Sequence, residues 1–119
     1  MDLSTFCIVQ TAIDDEVRAN EIAAALVARK LAACVQILEA TSHYVWKGQA
    51  AKQKEFLLFA KARQTDFEAI AAAIRELHSY ELPEIIATRI IAGEQSYLNW
   101  VVEQTSKQHS SPSGRQIVS

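Results

Sequence analysis

Few side chains in this sequence carry nitrogen or sulfur lone pairs suited to a metal ion: His43, His78, His109, Cys7 and Cys34. In the stretch His78-Ser79-Tyr80-Glu81 an imidazole is followed three residues later by a carboxylate. If the two share a face, His78 and Glu81 suit a borderline divalent ion, although two ligands hold it weakly unless other chains contribute. Coordination requires a neutral imidazole, so binding through His78 should weaken as pH falls through about 6.5. At the end of a predicted helix, the same imidazole can instead act as a cationic cap on the dipole. Cys34 is the third candidate ligand, since thiolate is soft and suits Cu(I). Set between Ala33 and Val35, it equally reads as a small buried hydrophobe, and Cys7 reads as core.

A second constellation is aromatic and polar. Tyr44 and Trp46 are two apart in a predicted strand, so their rings share one side. Lys61 is a cation flanked by Ala60 and Ala62 on the next strand. With Glu55 and Tyr80, these residues could line a small-molecule cleft between subunits, Trp46, Lys61 and Tyr80 being its ligand-binding candidates. The alternative is that the rings pack an interface and Lys61 joins an ion pair.

Counting excludes several chemistries. With three glycines in 119 residues there is no glycine-rich phosphate loop or dinucleotide fingerprint. Cys7 and Cys34 stand 27 apart, so no C-x-x-C metal or redox motif exists. An acylphosphatase would need a phosphate cradle after the first strand, where this chain has the acidic Thr11-Ala12-Ile13-Asp14-Asp15. No Ser-His-Asp or Cys-His arrangement follows from spacing, and the expectation is a protein that is not an enzyme. The net charge of −2 is evenly spread, which argues against nucleic acid or an anionic membrane as partner. An RNA-binding sheet would need basic and stacking residues where Phe56-Leu57-Leu58-Phe59 stands. Without a signal segment or an apolar run of about 18 residues, a soluble cytoplasmic protein is expected.

The elements that must position these residues read clearly. Phe6-Cys7-Ile8-Val9-Gln10-Thr11 is short, β-branched and apolar, hence a strand. Asp14, Asp15 and Glu16 open a helix that Arg29 and Lys30 close, with Ala19, Ile22, Ala23, Leu26 and Val27 as its apolar stripe. A second strand over 31–38 runs on to Trp46, Gly48 punctuates a hairpin, and a third strand covers 54–63. Thr65 and Glu68 have capping-box spacing before a helix that buries Phe67, Ile70, Ala71, Ile74 and Leu77 and ends near His78. A fourth strand over 84–92 and a helix carrying Tyr97, Leu98, Trp100 and Val101 follow. The order is β-α-β-β-α-β plus a helix: an α+β, ferredoxin-like antiparallel sheet spanning 1–105, with a poorly ordered tail over 106–119. Leu57 and Phe59 alternate with Phe56 and Leu58, so both sheet faces are apolar and the uncovered one needs a second cover, part of it from another subunit.

Four motifs occur in series: Ala28-Arg29-Lys30-Leu31-Ala32-Ala33-Cys34-Val35, Tyr44-Val45-Trp46-Lys47-Gly48, His78-Ser79-Tyr80-Glu81-Leu82-Pro83-Glu84-Ile85 and Tyr97-Leu98-Asn99-Trp100. Together they resemble the CutA family of divalent-cation-tolerance proteins, from about Phe6 to Gln104. The resemblance implies a homotrimer with long second and third strands pairing between subunits, similar in shape to the PII signalling trimers with their inter-subunit ligand clefts. It also implies a binding or regulatory role in divalent metal, especially copper, tolerance, with Cu(II) or another divalent cation as the only candidate cofactor. A small-molecule sensor without a metal role is the alternative. Some members are assigned a copper site at positions matching Gln10, Leu77 and His78, of which only His78 is a ligand type here. The family's usual proline after the histidine is Ser79 in this chain.

Overall fold

A computed structural model describes residues 5–107. The element order is β1 (Phe6–Ile13), α1 (Glu16–Ala28), β2 (Cys34–Trp46), β3 (Gln49–Arg63), a 3-10 turn (Gln64–Asp66), α2 (Phe67–Leu77), β4 (Ile86–Ile90) and α3 (Gln95–Gln104). The strands form one antiparallel sheet in the order β2-β3-β1-β4, the α+β arrangement expected from the sequence. Among the described residues no helix is long and apolar enough to cross a membrane. Most of the expected tail, residues 108–119, lies outside the described part. Lys107 is described, and its ammonium meets Asp66 at 3.0 Å.

Strand alternation builds the core. Val9, Ile13, Leu58 and Ala60 point toward α1 and α2, whose Ile22, Leu26, Ile70 and Ile74 meet them, all buried. Asp15 caps α1, its carboxylate accepting from the Arg18 backbone N–H at 3.1 Å. Arg18 in turn donates to the Leu77 carbonyl at 3.1 Å, satisfying an orphan acceptor at the end of α2. Past α1, Lys30 takes the left-handed turn (φ 58°) that a glycine usually occupies.

Five details differ from the sequence reading, the first being that β2 begins at Cys34 and not at residue 31, because residues 29–33 form the turn out of α1. The capping box does not form: residues 64–66 make the 3-10 turn, and Asp66 precedes α2 without a side-chain cap. Val27 is 47% exposed, because the α1 stripe facing the sheet narrows to Ala19, Ile22 and Leu26. The fourth strand shortens to Ile86–Ile90, since β4 pairs only where β1 lies opposite, from Gln10 to Phe6. The third strand lengthens, starting at Gln49 directly after the turn. Lys47 and Gly48 both have positive φ (51° and 79°), the two-residue turn whose twist suits a hairpin. A Cβ at Gly48 would meet nothing, so the demand for glycine there is conformational, not steric.

That turn fixes the β2–β3 register from Trp46↔Gln49 to Cys34↔Lys61. β1 stops at the pair Ile13↔Phe56, so residues 49–55 have only β2 beside them and project as an arm. The molecule is consequently elongated, 49 × 28 × 23 Å. On the face away from α1 and α2, Leu38 is 58% and Ile86 50% exposed, beside half-buried Leu57 and Phe59. α3 reaches this sheet near its Arg63 end, where the guanidinium donates to the Thr105 carbonyl at 2.9 Å.

Candidate functional site

Where the arm leaves the sheet, the segment linking α2 to β4 folds over the end of β1. The result is an open cleft of about 660 Å³. Its walls come from three places: Ala12 and Asp14 at the end of β1, Ser42, His43, Tyr44, Trp46, Gln53 and Glu55 on the arm, and Tyr80, Glu81, Leu82 and Glu84 on the linking segment. Alternation explains the arm's share apart from His43, because Ser42, Tyr44, Trp46, Gln53 and Glu55 have the same parity in the paired register.

A hydrogen-bond network ties the walls together. The Tyr80 hydroxyl donates to Glu55 Oε2 at 2.7 Å. The Gln53 side-chain amide donates to the Tyr80 oxygen and to Asp14 Oδ2, each at 3.1 Å, while the Tyr44 hydroxyl donates to Gln53 Oε1. Burial, and then the Glu55 carboxylate, push the Tyr80 phenol well above its ordinary pKa, so it stays a donor. Glu55 itself is only 7% exposed. Tyr80→Phe should therefore leave a buried carboxylate without a donor, at a cost of about 1–3 kcal/mol measurable by urea unfolding.

His78 is committed at both ring nitrogens. Nδ1 accepts from the Tyr80 backbone N–H at 3.1 Å, which assigns the proton to Nε2 and makes it the donor to the Ala12 carbonyl at 2.8 Å. The ring also meets the Tyr80 ring edge-on, with centroids 4.8 Å apart. It thus pins the linking segment to β1, while the side chain leaves the last α2 carbonyls to other donors. Burial lowers its pKa, against the opposing influence of the Ala12 hydrogen bond, Asp14 and Glu55, with Arg18 adding to the lowering. A native pKa below the unfolded value means that the unfolded chain takes up the proton first. The contribution of His78 is complete above about pH 6.5 and is lost as pH falls through the native value. Unfolding midpoints measured across that range should decline in the wild type and decline less in His78→Asn.

The expected metal ligands do not come together in one chain. His78 begins extended backbone (φ −82°, ψ 149°), so the helical spacing that would align it with Glu81 is absent. Glu81 is exposed on the cleft rim. Cys34 is half-buried at the start of β2, opposite Lys61, whereas His78 touches Ala12, opposite Leu57. Four positions along β3 separate the two, about 13 Å. At the positions implied by the resemblance, Gln10 donates to Glu84 at 2.9 Å and Leu77 packs against the core. Among the described residues no three His, Cys, Asp or Glu side chains converge as an ion site, so these residues do not fit a resident metal centre within one chain.

Of the ligand-binding candidates, Trp46 and Tyr80 line the cleft and Lys61 does not; its ammonium donates to the Gln36 side chain, beside Cys34. Asp14, Gln53 and Glu84 were missed. The two-residue turn at Gly48 was a usable signal for Gln53, because it sets Ser42 opposite Gln53. Nothing local marked Asp14 or Glu84, which belong to other segments.

Residues 7–104 match the family described as CutA1 divalent ion tolerance protein. The divalent-cation tolerance protein CutA of Thermus thermophilus is 38% identical over 82% of this chain and 96% of its own length. The CutA homolog of Xenopus laevis is 43% identical over 70% of this chain, which spans only 56% of that relative. The crystal structure of CutA1 from the psychrotrophic Shewanella sp. SIB1 superposes with a TM-score of 0.81 at 39% identity, covering 84% of this chain and 94% of that one.

Proposed function

We infer function from family membership: this chain belongs to the CutA1 divalent ion tolerance family. On that premise we propose a homotrimeric, cytoplasmic binding and regulatory protein, not an enzyme, that takes part in divalent metal tolerance by receiving a ligand in the cleft at the base of the arm. The observation that carries this reading is the position of the cleft. It opens on the same sheet side as the uncovered apolar residues Leu38, Leu57 and Phe59, so a neighbouring copy covering those residues would also close over it.

Direct copper binding is weak in this proposal. The cleft offers carboxylates that do not converge, and His78 has no nitrogen to give. A small-molecule ligand is favoured by the aromatic wall of Tyr44 and Trp46. Light scattering on the full chain should return about three times 13.2 kDa; a monomer mass at micromolar concentration would refute the assembly. Calorimetric titration with Cu(II) should show shallow binding that His78→Ala leaves unchanged. Tight binding lost in that variant would restore His78 as a ligand.

A further inference from the structure

The two hydrogen bonds of the His78 ring make opposite demands on its protonation. Nε2 donates to the Ala12 carbonyl at 2.8 Å, which the neutral and the charged ring do alike. Nδ1 accepts from the Tyr80 backbone N–H at 3.1 Å, which only the neutral ring allows. A proton added at Nδ1 sets two donors against each other. The Tyr80 N–H has no second acceptor among the described residues, so no other bond holds the backbone at that point. Tyr80 carries the consequence into the site. Its hydroxyl donates to Glu55 at 2.7 Å and accepts from Gln53 at 3.1 Å, and its ring stands edge-on to the imidazole. Residues 79–85 belong to no helix or strand, so they can shift without breaking helix or ladder bonds.

The charged groups facing the ring come from three elements: Asp14 just after β1, Glu55 on β3 and Arg18 on α1. On its own segment the Tyr80 phenol stays neutral. The two carboxylates favour the charged ring, while burial and Arg18 oppose it and prevail, so the ring charges only below its ordinary value of about 6.5. We propose that His78 is an acid-operated latch: a proton taken up at Nδ1 leaves the ring tied to Ala12 but expels the Tyr80 N–H, and residues 79–85 withdraw Tyr80 from Glu55 and Gln53. The rest of the fold stays closed, because no fully buried core side chain belongs to residues 78–85. Both partners of the ring are main-chain atoms of its own chain. The latch is therefore complete within one subunit and needs no ligand in the cleft.

The test is nuclear magnetic resonance of the full chain in its native assembly, titrated between about pH 8 and pH 5. The His78 ring nitrogens should titrate with a midpoint below about 6.5, and the Tyr80 amide should move with the same midpoint. Solvent exchange of that amide, corrected for pH, should rise roughly tenfold as the latch opens, while core amides such as that of Leu58 keep their protection. In His78→Gln the Tyr80 amide should no longer titrate. Asp14→Asn changes an exposed residue, keeps an oxygen for Gln53 and leaves the ring in place, so it guards against misfolding of the first variant. Its midpoint should move to lower pH, because one carboxylate that favours the charged ring is gone. Titration of the ring without movement of Tyr80 would overturn the latch, as would a Tyr80 amide that still titrates in His78→Gln. A ring that stays neutral down to pH 5, a midpoint unmoved in Asp14→Asn, or loss of core protection at the same midpoint would overturn it equally.

Discussion

Replacing Leu38 by aspartate is expected to convert the proposed trimer into monomers while leaving the sheet intact. Leu38 sits on β2 opposite Leu57, facing away from both core helices, and is 58% exposed in the single chain. Its own chain therefore gains little from it, and aspartate there stays solvated in a monomer. In an assembly that covers this face, each copy would bury an unpaired carboxylate. The desolvation penalty is several kcal/mol per ion, incurred once in each of three subunits. Light scattering should show the mass fall to that of one chain, with far-ultraviolet circular dichroism nearly unchanged. A trimer that persists in this variant would place the interface on another surface.

Leu58→Ala is expected to be the most damaging single truncation within the subunit. Leu58 is 1% exposed, lies between Thr11 of β1 and Ile37 of β2, and packs in the cluster that α1 and α2 complete. Large-to-small changes at such sites cost about 2–5 kcal/mol, combining lost transfer energy with the cavity left behind. Its neighbour provides the control, because Leu57 points to the opposite face. Leu57→Ala should cost less in subunit stability and more in assembly, so urea unfolding and light scattering should rank the two variants in opposite orders. Equal effects on both measurements would mean that the two sheet faces are not energetically distinct.

The sequence determined what depends on local pattern. Period-two alternation in Phe56-Leu57-Leu58-Phe59 set the two faces of β3, and the spacing of Ile70 and Ile74 set the buried side of α2. Gly48 marked the hairpin, and Pro83 lies in the non-helical link after α2. These signals suffice because each lies within a few residues of its consequence. Where a local signal had a close competitor it misled: the capping-box spacing of Thr65 and Glu68 yielded to the 3-10 turn.

Tertiary structure alone decided the site. Asp14, Gln53 and Glu84 come from three separate segments, and their meeting depends on β1 ending at Ile13 while β2 and β3 continue as the arm. The role of His78 is of the same kind. Its residue type and spacing fit a metal ligand, but its partner is a backbone carbonyl 66 positions earlier, at Ala12, and no sequence pattern encodes that contact. Periodicity specifies which face of an element is buried. Which polar atoms then find each other depends on how far each strand extends past its neighbour, and that is settled only when the sheet closes against its helices.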